Sequence, residues 1–162
     1  MKKYFYDTER LKCRPLGTID FRKFADLVMQ DEMVQRFFKF GNSVDEILDF
    51  LENLKEISCF PLGIYSKTTN VLVGYINGYL FEAGSLVVEY LIFEPFRRNH
   101  FMHEALTGFL QLCRNKGFIT LRFDVDYNND ASLALLENLG AEIIQCNYFD
   151  DKSNFACLLL EL

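Results

Sequence analysis

Hydrophobic and polar positions along the chain follow two different periods, and the changes between them predict a mixed α/β fold. Residues 11–16 alternate between apolar and polar side chains, as an opening strand does. Residues 21–28 then carry apolar side chains at helical spacing. Ser43 and Glu46 form a capping box in front of another helical pattern, so we expect a second helix over residues 43–57.

The middle of the chain returns to an extended pattern. Residues 61–66 and 71–81 are two extended runs joined by the polar residues 67–70, which predicts a β-hairpin. Residues 85–93 are almost entirely apolar, as in a strand that is buried on both faces, and we expect this strand at the centre of a sheet. Glu89 is the one carboxylate within it.

A crossover between two parallel strands is predicted in the second half of the chain. After Pro95, apolar residues recur at helical spacing as far as Lys116 and Gly117, a pattern typical of a helix C-terminus. Residues 119–126 then alternate as a half-exposed strand does. A strand, a helix and a strand within about 40 residues have the size of a right-handed crossover.

The last part of the chain completes a sheet of about seven strands with helices on its faces. A short helix is predicted after Asn129. Residues 142–149 and 154–162 are expected to form a closing hairpin around residues 150–153. The chain contains no repeat or linker, so we expect one domain over residues 1–162.

Composition and charge exclude several function classes. The chain has 162 residues, of which 50% are hydrophobic and 25% are charged, as in a folded domain. A net charge of −6 without a basic stripe argues against nucleic-acid binding. No apolar run is long enough to span a membrane, and residues 2–7 do not resemble a signal peptide. We therefore expect a cytoplasmic protein that binds neither nucleic acid nor membrane.

Neither a metal site nor a disulfide framework is indicated. The five cysteines are far apart and none forms a C-x-x-C pair, so we expect reduced thiols in the core. His100 and His103 share a predicted helix start but have no third ligand. Asp124 and Asp126 resemble the start of a calcium loop but lack the glycine and the glutamate that such a loop needs. We expect no metal cofactor.

A basic turn at a helix start is the remaining chemical signal. Arg97 and Arg98 stand where the long helix begins, just past the C-terminal end of the central strand. A helix N-terminus offers unpaired N–H groups and a positive dipole end, which suit a phosphate-bearing ligand. A solvated basic turn explains the same two residues equally well.

Several short motifs resemble the GNAT superfamily of N-acetyltransferases. The diphosphate loop of that family, R/Q-x-x-G-x-G/A, falls on residues 97–102. The sequence E-A-L at residues 104–106, N-x-A-S at residues 129–132 and L-E-x-L-G at residues 136–140 are similar to the branch that acetylates the N-termini of ribosomal proteins. The resemblance covers nearly the whole chain. It implies a mostly antiparallel, seven-stranded mixed sheet with a splayed central parallel pair and helices on both faces.

The resemblance also implies how acetyl-CoA would bind. The pantetheine would lie in the gap between the two parallel strands, against backbone groups of Tyr90, Leu91 and Ile92. The diphosphate would sit on the N–H groups of the loop and helix start. The candidate residues there are Arg97, Arg98, Asn99, His100, Phe101, Met102 and His103.

In such an enzyme a substrate amine attacks the thioester directly, which requires a base, an oxyanion donor and an acid for the thiolate. Glu89 is the candidate base, because desolvation makes a carboxylate a better proton acceptor. A partner arginine or a position at the sheet edge is the structural alternative. Asn129 is a candidate catalytic and cofactor-binding residue, or a plain helix N-cap. Ser132 either donates to the thiolate or binds within its own helical turn.

Two function classes remain open. One is an acetyl-CoA-dependent N-acetyltransferase that acts on a primary amine of a small molecule or peptide. The other is a non-catalytic module of the same fold that binds an acyl-CoA or another protein. The second class is kept because His100 and Met102 occupy the two small positions of the family's loop, where backbone approaches phosphate closely.

The acceptor and the oligomeric state have no motif of their own. We expect residues 29–42 and the turn at residues 150–153 to contact the acceptor. Three aromatic residues in the first of these segments would form an apolar wall or belong to the core, namely Phe37, Phe38 and Phe40. A homodimer through the C-terminal strands is a further hypothesis, favoured by Phe149 and Phe155.

Overall fold

A mixed sheet is the framework of the computed structural model, which describes residues 5–58, 60–144 and 154–162. Within those residues the eight strands are β1 Tyr6–Asp7, β2 Leu11–Pro15, β3 Leu62–Ser66, β4 Leu72–Glu82, β5 Ser85–Ile92, β6 Thr120–Asp126, β7 Glu142–Ile144 and β8 Phe155–Glu161. The α-helices are α1 Thr18–Gln30, α2 Glu32–Phe37, α3 Val44–Ile57, α4 Phe101–Asn115 and α5 Asp130–Asn138. Each predicted helix and strand is present at least in part, and β1 and α2 are additional. Residues 145–149 of one predicted strand lie outside the described residues, and α4 begins at Phe101, after Arg97 and Arg98 rather than at them.

The order of the strands confirms the expected topology. It is β1-β2-β3-β4-β5-β6-β8-β7, and every neighbouring pair is antiparallel except β5 and β6, which run parallel and are connected through α4. The expected number of seven strands is wrong, because Tyr6 and Asp7 pair with Cys13 and Lys12 as an eighth strand. Two residues are too few to show the alternation by which a sequence indicates a strand.

Helices cover both faces of the sheet, as expected. On one face α1, α2 and α3 enclose a core in which the ring of Phe24 makes edge-on contacts with Phe40, Tyr75 and Phe93. On the other face α4 and α5 pack on the sheet in a second core. The two cores hold β4 and β5 between them at the centre of the sheet. No helix among the described residues is long and apolar enough to cross a membrane.

Side-chain caps fix where three helices begin. Ser43 accepts a hydrogen bond from the backbone N–H of Glu46 at 3.3 Å, as the capping box predicts. The carboxylate of Glu46 accepts from the N–H of Asn42 at 2.8 Å, one residue before the position that the motif predicts. Asp31 caps α2 and Asn129 caps α5.

The C-terminal strands pair as expected, although their connection lies outside the described residues. β7 and β8 are antiparallel, with Ile143 opposite Leu158. Residues 145–153 are not described, and they include Phe149 and the expected turn at residues 150–153.

The cysteines that the structure describes are buried thiols. Cys13, Cys113 and Cys157 all lie in the core, as expected. Burial raises the pKa of Cys13 and of Cys113 to about 12, so both stay protonated at neutral pH. Cys59 and Cys146 lie outside the described residues.

Gly74 allows β4 to approach β5 beside the end of the central strand. A Cβ atom at this position would lie 2.4 Å from the carbonyl oxygen of Leu91. We expect Gly74→Ala to lower the free energy of unfolding by about 1–3 kcal/mol, as overpacking does. Urea denaturation measures the change. The control is Gly78→Ala in the same strand, whose Cβ would meet only side-chain carbons at 3.3 Å or more. Equal destabilisation by the two variants would contradict this interpretation.

Candidate active site

The parallel strands β5 and β6 separate toward the C-terminal end of β5. They pair only from Ser85 with Thr120 to Val87 with Arg122. Beyond this point β5 continues to pair with β4 on its other side as far as Ile92. The splay that the family resemblance implies is therefore present, and it opens a gap between β5 and β6.

The separation also changes the burial of the central strand. Leu86, Val88 and Leu91 are buried, whereas the other residues of β5, Glu89 and Tyr90 among them, are only half-buried. The expectation that the whole strand is buried on both faces is therefore wrong, and beyond Val87 the gap that β6 leaves reaches Glu89 and Tyr90. Both side chains line the gap.

Two adjoining cavities occupy the gap. The larger has a volume of about 170 Å³ and lies by the end of β5 and the start of α4, and the smaller has a volume of about 80 Å³ and lies between β5 and β6. Five residues line both cavities, namely Phe37, Phe38, Tyr90, Asn129 and Ser132. Phe37 and Phe38 thus form the expected apolar wall, whereas Phe40 is buried in the core.

The loop before α4 has backbone conformations that favour glycine, but the loop contains no glycine residue. Arg98 and His100 adopt the left-handed conformation, with φ of 62° and 57°. His100 stands where the family's loop has glycine, and histidine tolerates this conformation better than most residues. The side-chain amide of Asn99 closes the turn by donating to the carbonyl oxygens of Phe96 and Arg97, at 3.2 and 3.1 Å.

The N–H groups at the start of α4 have no side-chain cap. His100 is the N-cap residue, and its side chain makes no capping hydrogen bond. Arg98 and His103 are exposed beside it, and the guanidinium of Arg98 adds a positive charge next to a helix start that can receive an anion. The side chain of Met102 is buried and reaches the wall of the larger cavity. Phe101 stacks under the guanidinium of Arg10, 4.7 Å from its ring centroid.

Arg97 is bound to Asp31, which sequence reasoning did not single out. Its Nη2 donates to both carboxylate oxygens of Asp31, at 2.7 and 2.6 Å, and its Nε donates to the carbonyl oxygen of Ile92 at 3.0 Å. Asp31 is 2% exposed and also accepts from the backbone N–H groups of Val34 and Glu94. The pair therefore ties the start of α2, which is one wall of the gap, to the loop before α4.

Glu104 fixes the first turn of α4 to the β1–β2 turn. Its carboxylate accepts hydrogen bonds from the hydroxyl of Thr8, and from the backbone N–H and the Nε of Arg10 at 2.8 and 2.7 Å. Burial raises the pKa of Glu104, but these hydrogen bonds and the charge of Arg10 outweigh burial and lower it overall. Glu104 acts here as an anchor for the helix start.

Glu89 projects into the smaller cavity from the centre of the sheet. Its Oε1 accepts hydrogen bonds from Tyr75, Asn77 and Tyr79, at 3.0, 3.3 and 2.8 Å. Within the described residues it has no arginine partner, and β5 is not an edge strand. Neither of the two structural alternatives, a partner arginine or a position at the sheet edge, therefore explains Glu89.

Tyr90 and Ser132 face each other across the gap. Their hydroxyl oxygens are 2.5 Å apart, and either one can be the donor. Burial raises the pKa of Tyr90 well above its ordinary value, while the hydrogen bond with Ser132 acts in the opposite direction, so the phenol remains protonated. Asn129 accepts from the N–H of Ser132 at 3.3 Å and borders both cavities. It is therefore the N-cap of α5 and also a wall of the gap.

The structure brings together part of the predicted site. The residues around the gap are Glu89, Tyr90, Leu91, Ile92, Arg97, Met102, Asn129 and Ser132. Arg98, Asn99, His100, Phe101 and His103 lie instead on the loop and helix start beside it. Sequence reasoning missed Asp31, Tyr75, Asn77 and Tyr79, and it took Tyr90 only for its backbone. The alternation of Tyr75, Asn77 and Tyr79 was visible, but their position opposite Glu89 depends on a strand register that the sequence does not show.

Metal ligands are not gathered in the part of the chain that the structure describes. There, no group of three or more His, Cys, Asp and Glu side chains is placed to hold an ion. The motif that resembles a calcium loop has other partners. Asp124 pairs with Arg122 at 2.9 Å, and Asp126 accepts from Asn128 and Asn154.

A mixed sheet whose central parallel strands separate beside an uncapped helix start is the architecture of a GNAT-type acetyltransferase domain. A family model described as acetyltransferase (GNAT) domain matches residues 10–142, and the chain belongs to this family.

Solved structures of low sequence identity share the fold. An acetyltransferase (GNAT family) from Bacillus anthracis is 14% identical, with a TM-score of 0.83 over 98% of each chain. RimJ from Mycobacterium smegmatis, in complex with CoA-disulfide, is 14% identical, with a TM-score of 0.78 over 93% of this chain and 81% of that chain. RimL, a ribosomal L7/L12 alpha-N-protein acetyltransferase in complex with coenzyme A, is 12% identical, with a TM-score of 0.82 over 98% of each chain. No curated protein sequence matches significantly.

Proposed function

We propose that the protein is an acetyl-CoA-dependent N-acetyltransferase that transfers an acetyl group to a primary amine of a small molecule or peptide. The observation that carries the proposal is the gap between β5 and β6, whose two adjoining cavities are lined by the half-buried Glu89 and, at the uncapped start of α4, by Met102. Acetyl-CoA supplies the activated acetyl group as a thioester. Its phosphates would be held by the N–H groups from Arg98 to His103, and its pantetheine by the backbone of Tyr90, Leu91 and Ile92.

Glu89 is proposed as the base. The carboxylate takes one proton from the acceptor ammonium, directly or through a water molecule, which frees the nitrogen lone pair. The amine then forms a C–N bond at the thioester carbonyl carbon, and the C–S bond breaks without a covalent enzyme intermediate. The nitrogen then loses a second proton, and the departing thiolate takes up one proton and leaves as the thiol of CoA.

Tyr90 and Ser132 are proposed to stabilise the leaving group. The two hydroxyl groups lie together in both cavities, and a protonated phenol or hydroxyl donates a hydrogen bond to developing negative charge. Asn129 holds the start of α5 so that Ser132 stays on the gap side of its helix. The N–H groups of β5 that β6 leaves unpaired are the candidate oxyanion donors.

The charge of the smaller cavity favours a cationic acceptor. Glu89 and Asp126 line it together with Asp124, which is paired with Arg122, and with aromatic rings, among them Phe37 and Phe38. Carboxylates attract an ammonium group, and aromatic faces interact favourably with cations. We therefore expect amines rather than alcohols or acids as acceptors.

Two measurements test the proposed function. Calorimetric titration should give micromolar dissociation constants for both acetyl-CoA and CoA, and an acetyl-transfer assay across a panel of amines and peptides should show turnover with at least one acceptor. Absence of binding at millimolar ligand contradicts the proposal. Binding of both ligands without turnover across the panel supports the non-catalytic module instead.

A bulky side chain at residue 132 should close the gap. Ser132 lines both cavities, so we expect Ser132→Phe to weaken acetyl-CoA binding by about 100-fold, roughly 2.8 kcal/mol. The matched control is Ala134→Phe, at an exposed position of the same helix that lines neither cavity. Calorimetric titration measures both variants. Similar affinities for Ser132→Phe and the unmodified protein would place the ligand outside the gap.

A further inference from the structure

One face of β4 presents its polar side chains to the candidate base. Tyr75, Asn77 and Tyr79 alternate along β4 and therefore lie on the same face. Asn77 stands directly opposite Glu89 in the register of β4 and β5. The three donors described above all bind Oε1 of Glu89. Among the described residues, Oε2 receives no hydrogen bond, and the side chain borders the smaller cavity.

We infer that Tyr75, Asn77 and Tyr79 are positioning residues that hold Oε1 of Glu89 and leave Oε2 as the atom that takes the proton from the acceptor. The inference rests on the proposed function, in which Glu89 is the base. The three donors restrict the rotation of the carboxylate by binding one of its oxygens, and they leave the other oxygen without a partner among the described residues.

The donors are themselves held in place. Tyr75 is fully buried, and its ring packs edge-on against Phe24 and Phe40. Asn77 is also fully buried, and the hydroxyl of Ser58 donates to its Oδ1, so its Nδ2 is turned toward Glu89. Burial, followed by the nearby charge of Glu89, raises the pKa of Tyr75 and of Tyr79, so both phenols stay protonated donors.

Several ionisable groups lie around Glu89, and their protonation can contribute to the pH dependence of kcat/KM. On β4 they are Tyr75 and Tyr79, and on β5 the neighbouring Tyr90 lines the same cavity. Across the gap on β6 are Asp124, which is paired with Arg122, and Asp126. The walls from α2 and α5 present Phe37, Phe38, Asn129 and Ser132, which carry no charge. Removal of one phenol hydroxyl leaves all of the charges unchanged.

The test is the pH dependence of kcat/KM for Tyr79→Phe and for the double variant Tyr75→Phe/Tyr79→Phe, with the best acceptor of the panel. A carboxylate that loses a donor holds its proton more tightly. We expect the acidic limb of the profile to move to higher pH by about one unit in the single variant and further in the double variant. A 13C NMR titration of the Glu89 carboxyl, assigned by its loss in Glu89→Gln, should move in the same direction.

Tyr65→Phe is the matched control. The hydroxyl of Tyr65 also donates to a carboxylate, Asp20, at 2.7 Å, but on β3 and away from the gap. Tyr65→Phe should lose about as much stability as Tyr79→Phe and keep the pH profile of the unmodified protein. An unchanged profile and an unchanged NMR titration in the double variant would overturn the inference and leave the proposed function intact. Absence of turnover in the unmodified protein would contradict the proposed function, and the NMR titration would then decide the positioning alone.

Discussion

Replacement of Glu89 by glutamine should lower kcat for acetyl transfer by a factor on the order of 100 to 10,000, the usual contribution of a general base. Glutamine has nearly the same shape and still accepts hydrogen bonds from β4 through its carbonyl oxygen. It has no basic oxygen to take the proton from the acceptor ammonium. The fold and acetyl-CoA binding should therefore be retained while the chemical step is lost. Steady-state kinetics at saturating acetyl-CoA, together with calorimetric titration, separate the two effects.

Glu137→Gln is the matched control for Glu89→Gln. Glu137→Gln removes a carboxylate from an exposed position on α5 that lines neither cavity, so its kcat should not change. If Glu89→Gln and Glu137→Gln both retain the turnover of the unmodified protein, Glu89 is not the base. The proton would then leave the amine by another route, such as through Asp126 or bulk water.

Removal of Asp31 should cause the largest loss of stability. Asp31→Ala deletes the cap of α2, which contributes about 1 kcal/mol, and leaves the guanidinium of Arg97 without its partner at a site only 25% exposed. Breaking a buried ion pair costs about 3–5 kcal/mol. Since Arg97 keeps some contact with water, we expect a loss of about 3 kcal/mol in the free energy of unfolding, measured by chemical denaturation.

Two further variants separate the cap from the ion pair. Ser43→Ala removes only a helix cap, at the start of α3, and should cost about 1 kcal/mol. The double variant Asp31→Ala/Arg97→Met removes both charges and should be more stable than Asp31→Ala alone, because no unpaired charge remains. A loss in Asp31→Ala no greater than that in Ser43→Ala would show that the pair with Arg97 contributes little.

Most of the fold could be predicted because its signals are local. The capping box at Ser43, the polar turn at residues 67–70 and the apolar run at residues 85–93 each depend on neighbouring residues in the chain. β1 and α2 were missed for the same reason. β1 has two residues, and α2 has six with a single capping aspartate, so neither is long enough to show a period.

The site was less predictable because it depends on contacts between distant segments. Glu89 stood out as one carboxylate in an apolar strand, and Asn129 and Ser132 stood out through the N-x-A-S motif. The role of Arg97 depends on Asp31, which lies 66 residues away in the chain. The donors to Glu89 depend on the register between β4 and β5, which hairpin geometry fixes and the residue pattern does not reveal.

In the proposed function, the start of α4 and the gap beyond Val87 together receive CoA. A crystal structure of the protein with CoA bound tests it most directly. We expect the diphosphate against the backbone N–H groups between Arg98 and His103, and the pantetheine between β5 and β6 with Glu89 beyond its thiol end. A complex in which the side chains of His100 and Met102 fill that place, with CoA elsewhere on the surface or absent, would contradict it.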